Sequence, residues 1–304
     1  MLHEVFYWLF SMSITASIVG LVILLLRRIK RLPRRLSIFL WAIPFLRLTV
    51  PFALNSPHSM LWGLSRLCAT TVTVFQPAQE LSFTMLNSVS AAQSYFPIIY
   101  KAQLLGDIFR VASVVWITVA AVRLLLVGIS YFLSLREVGT LTHVRDKIYL
   151  SDRLSSPGVY GIFRPKILLP AAWKDRNLEL VLLHEQTHIR TRDNLWRILA
   201  MITVSLHWFN PLCWLFLKAF LADLELACDE RVLAKVGADR AKEYASTLLE
   251  SRQGAGAFAS AFGGANIRTR IENILSFRKL TWLSLTVFSV LMGIIFYTLL
   301  TNAG

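Results

Sequence analysis

The apolar residues of this chain fall into four long runs that are separated by more polar stretches. A helix that crosses a bilayer needs about twenty consecutive apolar residues. The runs therefore predict four transmembrane helices, over 5–26, 36–54, 111–135 and 281–300. We do not expect the first run to be a cleavable signal peptide, because no basic residue precedes it and no small-residue cleavage site follows it.

The hydrophobic pattern changes between the third and fourth runs. Segments 141–150 and 159–169 are rich in β-branched and aromatic residues and are flanked by turn residues, which predicts a small antiparallel hairpin or short sheet. A helix is predicted next over 178–191, with Asn177 as its cap. The sequence thus indicates a mainly α membrane protein with four transmembrane helices and a cytoplasmic α+β domain between the third and the fourth.

A further apolar stretch, 195–222, could be mistaken for another membrane span. The Asn210-Pro211 pair interrupts it, because proline removes a backbone donor and breaks a helix. We therefore predict two helices hinged at this pair, which dip into the inner face of the membrane without crossing it. The second of them is expected to continue as a helix over 216–236.

The composition excludes disorder, since 55% of the residues are hydrophobic and only 16% are charged. Three widely spaced cysteines, Cys68, Cys213 and Cys228, exclude a disulfide scaffold and a CxxC zinc site. The excess of 32 Lys and Arg over 18 Asp and Glu would suit a nucleic-acid partner if it formed a surface patch. Its position along the chain indicates membrane topology instead, with the bilayer as partner and no direct nucleic-acid binding.

The link between the first two predicted membrane helices is strongly basic and has no acidic residue. Its basic residues are Arg27, Arg28, Lys30, Arg31, Arg34 and Arg35. By the positive-inside rule this link is cytoplasmic, which places both termini outside. The predicted segments are two membrane helices with their link (1–54), an extracytoplasmic loop (55–108), the third helix (109–135), a cytoplasmic domain (136–280) and the fourth helix with a short outer tail (281–304).

The helix predicted over 178–191 carries the sequence His184-Glu185-Gln186-Thr187-His188. Histidines at i and i+4 lie on one helix face, so both imidazoles can reach one zinc ion. Glu185 then lies beside the metal as a general base, able to take a proton from water and return it to a leaving amine. This five-residue motif favours a zinc peptidase, but it is short enough to occur by chance.

A catalytic zinc needs a third protein ligand and an open position. Glu225 is the preferred candidate, and Asp229, one helical turn later, could hold a ligating histidine through its second ring nitrogen. The alternative is an exposed acidic face that pairs with Arg231 and Lys235, and it is the preferred interpretation for Asp223 and Glu230. His207 is a weaker candidate ligand, and Cys228 is interpreted as a buried, inert thiol.

Taken together, several segments resemble those of the BlaR/MecR-type integral membrane zinc metallopeptidases. They are "SPGVYGIFRPKILLP", "LVLLHEQTHIRTRDN", "HWFNPLCWLF" and "DLELACDERVL", set among the predicted membrane helices. The resemblance implies a gluzincin fold with one Zn²⁺ held by His184, His188 and Glu225, with Glu185 as base and Asp229 behind the ligands. It also implies a substrate-binding edge strand within 159–169, at Tyr160, Gly161, Ile162 and Phe163.

The family resemblance also implies an antirepressor role in the bacterial cytoplasmic membrane, in which an outside signal leads to cleavage of a cytoplasmic repressor. Members also cleave themselves before the last membrane helix, which corresponds here to the Ser276–Phe277 bond. An equally weighted alternative is that Ser276 and Arg278 cap and anchor the last helix. The C-terminal penicillin-binding sensor domain of full-length members has no counterpart in this sequence. Three alternatives follow: sensing through loop 55–108, sensing through a separate partner, or a sequence that is a truncation of a longer sensor.

We therefore predict a zinc-dependent metalloendopeptidase that hydrolyses a cytoplasmic protein, with a repressor as the expected substrate. Two other functions stay open at this point. One is a membrane quality-control or processing protease, and the other is a non-catalytic transducer with a structural zinc site. A homodimer is compatible with a signalling membrane protein, but no residue pattern indicates one.

Overall fold

The computed structural model describes residues 2–29, 32–51, 55–56, 59, 103–173, 178–251, 265–277 and 282–303. Over this part of the chain the protein is mainly helical with one α+β region. The helices are α1 (Leu2–Leu26), α2 (Arg34–Ser37), α3 (Ala42–Thr49), α4 (Gln103–Arg136), α5 (Glu179–Thr191), α6 (Asp193–Leu206), α7 (Pro211–Val236), α8 (Ala241–Ser251), α9 (Ile267–Leu275) and α10 (Trp282–Leu300). The strands are β1 (Asn55–Ser56), β2 (Leu141–Arg145), β3 (Ile148–Ser151), β4 (Gly158–Tyr160), β5 (Lys166–Pro170) and β6 (Asn302–Ala303).

Two of the described helices are long and apolar enough to cross a membrane. They are α1, with a mean hydropathy of 2.4, and the Asp107–Arg136 part of α4, with a mean hydropathy of 2.2. α4 exposes a broad apolar surface that includes Val111, Leu125 and Ile129, as expected of a helix that faces lipid. In α10 the apolar stretch Leu285–Leu300 is shorter.

The predicted second membrane helix is not one continuous helix. Within 36–54 the structure has the end of α2, a 3-10 turn over Ile38–Trp41 and then α3, which contains Pro44. At about 1.5 Å per residue, the run from Arg34 to Thr49 is shorter than a hydrocarbon core of about 30 Å. Four membrane-spanning helices therefore stay a prediction, and residues 52–54 and 60–102 lie outside the described part.

The C-terminal end of α10 is far in sequence from α3 but is joined to it by hydrogen bonds. Arg47 of α3 is fully buried and donates from Nη2 to the carbonyls of Leu299 and Thr301 at 3.1 and 2.7 Å. A guanidinium at this position satisfies free carbonyls and suits the negative end of the helix dipole. Just beyond, β1 and β6 pair in parallel.

The sheet of the α+β region has four strands in the order β2-β3-β5-β4. β3 and β5 are parallel, and the two outer pairs are antiparallel. The predicted short sheet is therefore confirmed, whereas the alternative of a single antiparallel hairpin was wrong. Each predicted strand is broken, the first by a turn at Asp146, which has a positive φ of 49°, and the second by a turn at Gly161, with a φ of 92°.

Helix α7 joins the membrane helices to the α+β region. Its first half packs on α1 so closely that a Cβ on Gly20 would lie 2.3 Å from the ring of Phe216. Its second half contributes Val232 and Leu233 to a core shared with α5, α8 and α9. α7 begins at Pro211, with Asn210 capping it by accepting a hydrogen bond from the Leu212 amide at 2.9 Å. The predicted hinge at Asn210-Pro211 is where the structure separates α6 from α7.

Candidate metal centre

The two histidines of the motif face each other inside the protein. His184 and His188 lie one turn apart on α5, and both are buried. Their Nε2 atoms are 3.1 Å apart, and the two rings are nearly perpendicular. α5 is held on both sides, since Val181 packs on the sheet and Leu180 packs on the core formed with α7 and α8.

His188 is oriented by an acid that directly follows the turn after α5. Its Nδ1 lies 2.6 Å from Oδ2 of Asp193, the first residue of α6. A carboxylate only accepts, so Nδ1 of His188 carries the proton. The contact depends on Arg192, whose left-handed φ of 55° ends α5 and turns the chain directly into α6. A sequence pattern does not reveal such a turn, and Asp193 was not predicted.

His184 is oriented through a tyrosine. Its Nδ1 lies 2.7 Å from the hydroxyl of Tyr244 on α8, which donates in turn to Oδ1 of Asp229 at 2.7 Å. Because the hydroxyl proton goes to Asp229, the imidazole Nδ1 is the donor to the tyrosine. Asp229 was predicted to hold a ligating histidine directly. It lies 3.5 Å from Nδ1 of His184, and the hydrogen bonds run through Tyr244, which the sequence analysis missed.

These contacts fix which ring nitrogens are free. When both rings are neutral, with their protons on Nδ1, each Nε2 presents a lone pair, and the two Nε2 atoms lie 3.1 Å apart in a buried site. Two lone pairs facing each other repel, and a cation between them would remove that repulsion. Outer partners that hold a histidine by Nδ1 and leave Nε2 free are typical of metal-ligating histidines. The donor set therefore fits a metal ion.

Glu225 of α7 reaches the same place from the neighbouring helix. Its carboxylate oxygens lie 3.9 Å from Nε2 of His184 and 4.0 Å from Nε2 of His188. Two arginines hold it: Arg197 through a short hydrogen bond, and Arg270 of α9 at 3.1 Å. Burial alone would raise the pKa of Glu225, but the two guanidinium groups outweigh burial and keep this pKa well below its usual range.

Arg270 is the third residue of the centre that was not predicted from the sequence, after Asp193 and Tyr244. It is buried, forms a two-point ion pair with Asp229 at 2.7 and 2.8 Å, and its Nη2 lies 3.3 Å from Nε2 of His184. The Arg270 guanidinium thus places a positive charge beside Nε2 of His184. An isolated arginine on a short amphipathic helix has no spacing pattern that would single it out.

Cys228 competes with Glu225 as a third ligand on proximity alone. One ligand atom from each of His184, His188 and Cys228 falls within 4.8 Å of the others. However, the Cys228 sulfur lies 3.5 Å from Nδ1 of His184, the nitrogen that is already committed to Tyr244. Burial raises the pKa of this thiol to about 11, and its sulfur also lies 3.6 Å from the backbone carbonyl of His184, so its contacts are on the side of the ring away from Nε2. We therefore prefer Glu225.

Glu185 lies beside the histidines and lines a cleft of about 590 Å³. Burial raises the pKa of its carboxyl above the ordinary value. A carboxylate whose pKa is shifted toward neutrality is better matched to general-base catalysis. The cleft also exposes His184, His188, Glu225 and Arg197, so a bound substrate could reach all of them.

The edge strand β4 forms one wall of this cleft and is shorter than predicted. Tyr160 belongs to β4, but Gly161, Ile162 and Phe163 lie in the turn that follows, and the side chain of Phe163 is 90% exposed. Pro165 and the positive φ of Gly161 account for the break, because neither is compatible with a continuous strand there. Asn194 ties the strand to α6 by donating to the Val159 and Gly161 carbonyls at 3.0 and 3.1 Å.

The remaining predicted residues lie away from the centre. His207 is buried and its Nε2 lies 3.0 Å from the Leu48 carbonyl, which favours the local hydrogen bond over ligation. Ser276 ends α9 and is exposed, while Phe277 packs on the core around Leu180. Six residues of helix, about 9 Å, separate Ser276 from Arg270. The residue Arg278 lies outside the described part.

The acidic residues that were predicted to pair with Arg231 and Lys235 have other partners. Asp223 is buried and accepts from Nε of Arg27 at 2.8 Å and from Nε1 of Trp41 at 2.9 Å. Glu230 is buried too, and its carboxylate accepts from the backbone amides of Arg34 and Arg35 at 3.0 Å. The exposed acidic face was therefore wrong, although a structural role for both acids was expected. They attach α7 to the basic link after α1.

Comparison with known proteins shows the family to which the chain is related. The sequence model of the family described as BlaR1 peptidase M56 matches residues 7–274. The regulatory protein BlaR1 of Bacillus licheniformis is 28% identical over 161 residues, which cover 48% of this chain and 26% of that protein. The methicillin resistance mecR1 protein of Staphylococcus aureus (strain Mu50 / ATCC 700699) is 26% identical over 107 residues, which cover 34% of this chain and 18% of that protein. The chain thus spans about a quarter or less of the length of these relatives.

Proposed function

Because this chain belongs to the BlaR1 peptidase M56 family, we propose that it is a membrane-embedded zinc endopeptidase that transmits a signal by cleaving a cytoplasmic protein. The observation that carries the proposal is the pair of buried imidazoles whose Nε2 lone pairs face each other, with a carboxylate within 4 Å of both. Such a set serves a metal, and the adjoining base and cleft serve hydrolysis.

His184, His188 and Glu225 would hold one Zn²⁺, and Asp193 and Tyr244 would keep both imidazoles in the tautomer that leaves Nε2 free. Zinc, when bound, supplies Lewis acidity that polarises a substrate carbonyl and makes water more acidic. The preference for zinc follows from the ligand types, since two imidazoles and one carboxylate with an open position are characteristic of catalytic zinc sites.

Glu185 would move the proton. Its carboxylate would take a proton from the attacking water and pass it to the amide nitrogen of the leaving peptide. The raised pKa of Glu185 favours the later proton transfer to the leaving nitrogen. A carboxyl with a higher pKa keeps the proton until the amine departs.

Arg197 would stabilise the charge that develops on the scissile carbonyl oxygen. It lines the cleft, one of its Nη atoms holds Glu225, and its Nε is buried without a hydrogen-bond partner among the described residues. A prearranged donor of this kind favours the transition state over the ground state.

The substrate would bind as an extended segment against β4. We propose that Gly158–Tyr160 supplies the backbone for this pairing, with Gly161, Ile162 and Phe163 beyond the strand contacting flanking side chains. A transcriptional repressor is the proposed substrate class, because the family resemblance links this site to antirepressor signalling and the basic side of the chain faces the cytoplasm.

Self-cleavage at Ser276–Phe277 would need α9 to move. The bond lies about six residues of helix, or about 9 Å, from Arg270, and Phe277 is packed into the core around Leu180. We therefore propose that this bond reaches the cleft only when the end of α9 unwinds or when a second copy of the chain presents it.

The test is the intact mass of the purified chain in detergent with zinc supplied, for the wild type, Glu185→Gln and the exposed control Glu250→Gln. We expect new termini, with Phe277 among the candidates, in the wild type and the control but not in Glu185→Gln. A pool of unstructured peptides, incubated with each protein, reports activity when the chain itself stays whole. Identical products from the wild type and Glu185→Gln would contradict the proposal and favour a non-catalytic transducer.

A further inference from the structure

A second cavity of about 350 Å³ lies apart from the catalytic cleft, along the side of α7. Its walls are the 3-10 turn before α3, α3 itself, α6 and α7, and they are almost entirely apolar. Along α7 the lining residues run from Cys213 through Phe216 and Leu224 to Arg231. Eighteen residues of helix separate the first from the last, so this apolar groove extends over about 27 Å.

One end of the apolar groove carries a positive charge that is not satisfied. Arg231 lines this end, and its Nη1 atom is buried without a hydrogen-bond partner among the described residues. Asp193 also lines the groove, but its carboxylate is engaged by His188. A buried guanidinium donor that lacks a partner is unfavourable, so the groove is complementary to a ligand that brings a negative group to this end.

The charged end lies at the level of the basic link between α1 and α2. Glu230, the residue before Arg231, binds the backbone amides of Arg34 and Arg35. Basic residues beside membrane helices mark the cytoplasmic headgroup region. Two aromatic side chains that line the groove, Phe39 and Trp196, are 57% and 44% exposed, as is common for aromatic residues at a membrane interface.

From this arrangement we propose that the apolar groove binds one acyl chain of an anionic phospholipid, whose phosphate pairs with Arg231. The chain would run along α7 from the headgroup level toward Cys213, covering the apolar walls. The unpartnered guanidinium selects a net negative headgroup over a zwitterionic one, because a zwitterionic lipid brings its own cation to the site.

The apolar groove also reaches the turn between α5 and α6, next to the metal centre. Thr191 and Asp193, the residues on either side of the left-handed Arg192, line it. Asp193 holds Nδ1 of His188. A bound lipid would therefore pack on the turn at Arg192, which positions Asp193 against the candidate zinc ligand His188. The lipid composition of the inner leaflet would in this way affect the orientation of that ligand.

The experiment is native mass spectrometry of the full chain in detergent, titrated with phosphatidylglycerol or with phosphatidylcholine of the same acyl chains. We expect the wild type to retain one phosphatidylglycerol in preference to phosphatidylcholine. In Arg231→Gln the phosphatidylglycerol affinity should fall by about tenfold or more, the loss expected for one charged hydrogen bond. Lys235→Gln removes the same charge from an exposed position one turn later on α7, and it should bind as the wild type does.

A second variant tests the apolar part separately from the charge. Ala200→Phe places a ring in the groove and leaves Arg231 intact, so it should displace the lipid while the protein keeps its thermal transition. Equal retention of the two lipids by the wild type, or equal phosphatidylglycerol binding in the wild type, Arg231→Gln and Ala200→Phe, would overturn the proposal. The proposal would also be overturned if Ala200→Phe abolished the binding of a second copy of the chain and left lipid binding unchanged. None of these outcomes depends on peptidase activity.

Discussion

At the residue scale, the way each histidine is held through Nδ1 determines what the pair can do. Sequence spacing is sufficient to put His184 and His188 on one face, because the helical repeat is local. It does not identify Asp193 or Tyr244, which orient them. One of these contacts needs a left-handed turn at Arg192, and the other needs α8 to pack against α5 from 60 residues away. Glu225 could be nominated from the sequence only because a third ligand was required.

Asp193 gives a prediction at this scale. Asp193→Asn should keep the fold but weaken zinc binding by about 10–100-fold, because an amide orients His188 less firmly and makes its imidazole less basic. Competition with a chelator of known affinity measures the change. Asp239→Asn, an exposed change of the same kind, is the control. Unchanged zinc affinity in Asp193→Asn would contradict the role given to the Asp193–His188 contact.

At the element scale, α7 connects the membrane helices to the metal centre. The sequence predicted its continuation through 216–236 and the break at Asn210-Pro211, because proline and capping signals are local. It could not predict that Asp223 and Glu230 face inward, since their partners lie nearly 200 residues earlier in the chain. The strands were least predictable. Runs of β-branched residues indicate strands, but the turns at Asp146 and Gly161 that divide them depend on single backbone conformations.

The attachment of α7 to the basic link can be measured through Asp223. Asp223→Ala removes the acceptor for Arg27 and for the Trp41 indole from a buried position. The free energy of unfolding in detergent should fall by roughly 2–3 kcal/mol, because charged hydrogen bonds are lost and their donors stay partly buried. Chemical denaturation followed by tryptophan fluorescence gives the value.

The control for that change is Glu272→Ala, which breaks an exposed ion pair with Arg268 on α9. Exposed pairs of this type contribute about 0–1 kcal/mol. If Asp223→Ala cost no more than Glu272→Ala, the link between α7 and the basic segment would not be a stabilising element.

At the scale of the whole molecule, the distribution of charge and apolar surface is what the sequence shows most directly. The family match over residues 7–274 covers most of α1, all of α4 and the residues of the metal centre, and α7 packs on both parts. α7 therefore belongs to two hydrophobic cores, one with the membrane helices and one with α5, α8 and α9. The number of membrane crossings and the orientation of the termini rest on the basic link and stay predictions.

Cysteine accessibility tests that orientation. In intact bacteria, a membrane-impermeant maleimide should label His3→Cys, near the outer N-terminus, without permeabilisation. It should label Asp239→Cys, near α8, only after the inner membrane is opened. Both variants carry Cys68→Ser, because Cys68 lies in the predicted outer loop, and the Cys68→Ser chain alone is the background control. The described cysteines, Cys213 and Cys228, are buried. The reverse labelling pattern would place the metal centre outside and exclude a cytoplasmic substrate.

The measurement that tests the central claim most directly is the zinc content of purified variants by elemental mass spectrometry. We expect one zinc per chain in the wild type, in Glu185→Gln and in Cys228→Ser, and little or none in His188→Ala and Glu225→Ala. This pattern would assign the metal to His184, His188 and Glu225, with Glu185 left for proton transfer. Full zinc occupancy in Glu225→Ala together with its loss in Cys228→Ser would contradict the account and make the thiol the third ligand.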